Sequence, residues 1–105
     1  RFVRPVRVGD LVRVDALLVN TTPRSMYVAL RVHAGPRSAR QPELVAHSIS
    51  VMVDVGDDGR ALPVRPWRPE GEAARHLRDS AVELVRLRSE VGAAWTEAAP
   101  SARVG

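Results

Sequence analysis

From Leu11 to Val19 apolar and polar positions alternate: Val12, Val14, Ala16 and Leu18 fall on one face, Leu11, Arg13, Asp15, Leu17 and Val19 on the other. A period of two predicts a strand, and the β-branched residues favour it. The stretch "NTTPR", residues 20–24, supplies turn chemistry, because Pro23 fixes φ while Asn20, Thr21 and Thr22 can bond nearby backbone. Met26, Val28, Leu30 and Val32 then alternate against Tyr27, Ala29, Arg31 and His33, which closes a hairpin. The loop "AGPRSARQP", about nine residues with Gly35, Pro36 and Pro42, leads into "ELVAHSISVMVDV". In that run Val45, His47, Ile49, Val51, Val53 and Val55 share one face; both faces are largely uncharged, as in a central strand covered on two sides. "GDDGR" ends it as a turn, and "ALPVRPWRP" is too rich in proline for a central strand or a helix interior.

The period changes at about Glu72. Ala74, Leu77, Ala81, Leu84, Val91 and Trp95 recur three and four apart, with Arg88 in the seam, and Glu70 and Glu72 stand where a helix dipole favours acids. The spacing predicts an amphipathic helix over 71–96, weakened at Gly92. Three long antiparallel strands followed by a C-terminal helix make an α+β architecture.

Composition narrows the picture. A chain of 105 residues with 45% hydrophobic content makes one small globular domain, residues 1–97, with a flexible tail over 98–105. The net charge of +4 and a pI near 11.2 invite a nucleic-acid reading. Yet all 16 basic residues are Arg, scattered among 12 acids, which a GC-rich genome produces unaided, so no nucleic-acid partner is expected. There is no cysteine, which excludes disulfides, thiolate metal sites and thiol catalysis. No apolar window reaches the ~18 residues of a membrane span and no apolar h-region opens the chain, so the expected compartment is the cytoplasm, with no membrane partner.

Four segments in order, "RFVRPVRVGDLV", "VNTTPRSMYVALRV", "LVAHSISVMVDVGDDGRALPVRP" and "HLRDSAVELVRLR", resemble the hotdog-fold acyl-CoA thioesterases. Phe2, Pro5, Val6, Val8, Gly9 and Asp10 match that family's Phe-x-x-Pro-Val-x-Val-Gly-Asp segment. Thr22, Pro23, Arg24, Ser25 and Met26 stand at its Thr-Gly-x-Ser-Ser/Thr-Met turn, with Pro in place of the usual Gly. Val53, Asp54, Gly59, Pro63, Val64 and Pro66 match its Val-Asp-x-x-Gly turn and Pro-Val-Pro segment. The resemblance covers roughly residues 1–90. It implies a partial hotdog fold whose first strand, central helix and catalytic Asp or Asn would lie upstream of Arg1.

Thioester hydrolysis needs a carboxylate or amide to activate water and backbone N–H donors at the developing oxyanion. The resemblance implies that both come from the upstream segment, so that no catalytic residue is expected here and the chain alone is expected to be inactive. Within the chain, Asp10, Asp57 and Asp58 read as turn residues, Asp54 has no histidine beside it, and His47 reads as a core or interface histidine. His33 and His76 are expected to be exposed, and the three histidines lack metal-ligand spacing. Coenzyme A carries phosphates, which Arg meets in fork geometry. By resemblance the "TTPRSM" turn borders the coenzyme A path, so Thr22, Arg24 and Ser25 are the leading candidates for binding it, with Arg86 and Arg88 of the helix behind them. The resemblance further implies an acyl-CoA substrate, no cofactor, no metal, and a homo-oligomer: a dimer, a trimer of dimers or a tetramer. Another hotdog enzyme, a hydratase or dehydratase of acyl thioesters, and a degenerate non-catalytic module that binds coenzyme A or a partner are the alternatives.

Overall fold

A computed structural model describes residues 1–99 of the chain. The strands predicted by alternation form β1 (Leu11–Thr21), β2 (Met26–Gly35) and β3 (Glu43–Met52), an antiparallel sheet in that order. The hairpin register runs from Thr21 opposite Met26 to Leu11 opposite Gly35, and a bulge between Leu18 and Asn20 leaves Val19 without a partner. A second irregularity, between Val32 and His33, leaves Val45 of β3 unpaired. The loop between β2 and β3 is residues 36–42, shorter than expected because β2 continues to Gly35.

The third run is not one strand. Met52 pairs with Met26, the first residue of β2, so Val53 passes the end of its neighbour. The chain turns instead into a small hairpin of β4 (Asp54–Val55) and β5 (Ala61–Leu62). Nor is β3 covered on two sides as expected. It has neighbours on both edges, β2 and an isolated bridge from Phe2 to Ala46, but Val51 and Met52 stay about half exposed. The opening residues are held there by Val3 N–H donating to Val45 O (2.7 Å) and by Arg4, which donates to Ala34 O (2.6 Å) and pairs with Glu43 (2.9 Å).

Helix α1 spans Gly71–Ala98 and runs through Gly92 without a break. Pro66 and Pro69 keep the approach extended, Glu70 is extended at φ −106°, and Gly71 turns the chain into the helix at φ +85°, a left-handed value suited to glycine. At the far end Ala99 N–H donates to Trp95 O (2.8 Å). The expected tail over 98–105 falls, from residue 100 onward, outside the described residues.

α1 packs against β1 and β3. The sheet face bearing Leu17, Ala29 and Ile49 looks towards its Leu77, Ala81 and Leu84. Val19, Ala34, Val45 and Ala81 are the fully buried apolar side chains. On the opposite face Val12 and Val14 are more than half exposed. The accessible surface is 8549 Å², against about 5,800 Å² for a compact monomer of this mass. A radius of gyration of 17.2 Å, against about 13 Å for a compact domain of this length, agrees. The molecule is therefore an open sheet with one helix laid across it.

Candidate functional site

The turn between β1 and β2 is built by one hydroxyl. Thr22 Oγ1 accepts from the N–H of Arg24 (3.2 Å) and of Ser25 (3.0 Å) and lies 2.7 Å from Ser25 Oγ, while Thr22 N–H donates to Ser25 O (2.9 Å). The later chain braces it: Val64 N–H donates to Pro23 O (3.0 Å) and Trp67 N–H to Thr21 Oγ1 (3.1 Å). Every positive φ among the described residues belongs to a glycine outside this turn, so Pro23 fits where the family has Gly. The result is a fixed, exposed loop tip carrying Arg24, whose side chain makes no ion pair among the described residues. Such a guanidinium is free to meet a phosphate.

The other two expected arginines stand elsewhere. Arg86 is held on the exposed side of α1 by Glu83 (Nε to Oε2, 3.0 Å) and Glu90 (Nη1 to Oε1, 2.6 Å). The hydrogen bond to Glu83 raises the Arg86 pKa, and the same bond lowers that of the Glu83 carboxyl. Arg88 reaches back to the sheet, donating to Ile49 O (2.9 Å). Ile49 pairs with Ala29, four positions beyond Ser25, so the turn and Arg88 are separate places.

The acids behave as turn residues. Asp10 accepts from Arg7 N–H (3.0 Å) in a turn where Gly9 sits at φ +93°, and Asp58 accepts from Arg60 N–H (3.0 Å). His76 is exposed as expected. His47 is exposed on this chain and lines the space under α1, so it is not a core residue. His33 departs from expectation: its side chain is only 14% exposed, with Nδ1 3.7 Å from Asp15 Oδ2, beyond hydrogen-bond length. Asp15 also pairs with Arg13 (3.3 Å). The register explains both contacts, since His33 stands opposite Arg13 and diagonal to Asp15 on one face. Asp15 carries no signal of its own in the sequence; only the hairpin register points to it. Among the described residues no three His, Asp or Glu side chains could hold a metal.

Between α1 and the sheet lies an open groove of about 1050 Å³. Leu17, Ala29, Ile49, Leu77, Ala81 and Leu84 give it an apolar lining, and Asp15, Arg31, His47 and Arg88 border it.

Comparison with known proteins fits this architecture. The family model of the thioesterase superfamily matches residues 1–40. Among solved structures, an acyl-CoA hydrolase from Bacillus cereus is similar over 99% of this chain with a TM-score of 0.78 at 22% identity. The sheet and helix thus have the hotdog fold expected from the sequence, and the chain spans 63% of the length of that neighbour. No curated protein matches the chain. Among the described residues no helix is long and apolar enough to cross a membrane.

Proposed function

We propose that this chain forms the sheet and the nucleotide-binding turn of a cytoplasmic acyl-CoA thioesterase that works as a homo-oligomer. The observation that carries the reading is the thioesterase-superfamily match over residues 1–40, a stretch that includes both the Gly9-Asp10 turn and the Thr22–Met26 turn. In the reaction water adds to the thioester carbonyl, the C–S bond breaks, and free acid and the coenzyme A thiol leave. This chain's part is to hold the substrate. Arg24, fixed at the loop tip by Thr22 and Ser25, pairs with a phosphate of the nucleotide, and its rigid mounting keeps the ordering cost low.

The test is thiol release from acyl-CoAs of several chain lengths by the protein as its gene expresses it, including whatever precedes Arg1. Arg24→Gln should raise KM for acyl-CoA roughly tenfold, the loss of one charged contact. It should leave turnover of an acyl-pantetheine, which lacks the nucleotide, unchanged. Hydration of an enoyl-CoA without thiol release would favour the hydratase reading instead. Coenzyme A binding with no turnover of either substrate would favour the non-catalytic module.

A further inference from the structure

The outer half of α1 carries an apolar stripe that nothing among the described residues covers. Leu84, Leu87, Val91 and Trp95 are between 43% and 66% exposed, although they recur three and four apart as core residues do. The spacing is that of a heptad seam, with Leu84 and Val91 at one set of contact places and Leu87 and Ala94 at the other. Ala81, the buried residue that meets the sheet, lies about a quarter-turn round the helix from this seam. A second helix can therefore lie in the seam without disturbing the sheet contact.

The charges beside the seam say which helix. One flank is acidic throughout, with Glu83, Glu90 and Glu97 seven residues apart, and the other carries Arg88. Two copies of α1 side by side in the same direction set Glu83 of one against Arg88 of the other, whereas an antiparallel pair sets acid against acid. Both partners are available. Arg86 binds Glu83 from outside the seam and leaves its side chain 55% exposed. Arg88 donates from Nη1 to Ile49 O and makes no ion pair among the described residues, so its other N–H groups are open.

We infer that two copies of this chain pair through the outer half of α1, parallel and in register, with Leu87, Val91 and Ala94 at the centre of the contact. Two heptads make a short zipper, so the pairing is weak and depends on concentration. It holds whether or not the protein cleaves thioesters.

These 105 residues contain no cysteine, so single cysteines introduced on the helix report the contact. In the intact protein, with any cysteine outside this stretch replaced by serine and copper phenanthroline as oxidant, Leu87→Cys and Ala94→Cys should each form a disulfide with its own counterpart. Two places a heptad apart, about 10 Å along the axis, can both meet their counterparts only in a parallel pair. Ser89→Cys, on the side away from the seam, should cross-link roughly tenfold more slowly. Val91→Asp, at an exposed place where helix content by circular dichroism stays unchanged, should slow Leu87→Cys cross-linking roughly tenfold. Glu83→Arg should slow it as well, and adding Arg88→Glu should restore it. Cross-linking at only one of the two places marks an antiparallel contact and overturns the assignment. So does Ser89→Cys reacting as fast as Leu87→Cys, a rate indifferent to Val91→Asp, or no disulfide at either place.

Discussion

At the scale of single residues, Thr22 does more than its neighbours. Its hydroxyl accepts two backbone N–H groups and contacts Ser25, so Thr22→Val keeps the shape while leaving the half-buried Ser25 N–H without its acceptor. The variant should lose about 1–2 kcal/mol in urea unfolding, with the m-value unchanged. A second residue-scale prediction concerns the α1 surface. Because Arg86 lowers the Glu83 pKa, Arg86→Gln should move the Glu83 carboxyl titration back up, as followed by carboxyl ¹³C chemical shift. The sign is that of a depressed acid. The pairing is present above the unfolded-state pKa and is lost as pH falls through the lower folded value. Both groups are exposed, so the titration should move while the melting temperature scarcely does. Composition and turn chemistry made the Thr22–Ser25 loop and the Asp10 turn legible in the sequence. The Asp15–His33 pair was not, because its two members are distant in sequence and meet only through a register that the bulge at Val19 shifts.

At the scale of elements, hydrophobic period was informative about type and weak about ends. Alternation located β1, β2 and the start of β3, and three-four spacing located α1, because these patterns follow from how each backbone points its side chains. The end of β3 was hidden. Alternation continues through Val55, but a strand lasts only as long as its neighbour, and β2 begins at Met26. The Val19 bulge has its own consequence for packing. It leaves Val19 unpaired yet almost fully buried, at 2% exposure, so the bulge delivers one of the few core side chains. Val19→Ala should destabilise the protein by about 1–3 kcal/mol, read as a lower urea midpoint.

For the whole molecule, alternation in the sequence marks apolar faces, and the structure shows how far they stay open. Val12 and Val14 fall on the uniformly apolar face of β1, yet more than half of each is exposed. The reason is physical: patterning says which side of a strand prefers burial and nothing about what arrives to cover it. An excess of roughly 2,700 Å² over a compact monomer is more than a stable protein interface usually buries. Purified alone, these 105 residues should therefore self-associate, with a weight-average mass in sedimentation equilibrium that rises with concentration through the micromolar range.

The length of α1 bears on how that surface can be watched. Its first turns rest on the sheet at the buried Ala81, whereas Val91 and Trp95 stand 66% and 61% exposed on the final turns. Among the described residues the helix is a cantilever, held to the sheet from Ala81 to Arg88 and projecting beyond it. Its free arm should exchange amide hydrogens fastest, and the indole near its tip is a native fluorophore that will shift to the blue whenever something settles on that arm.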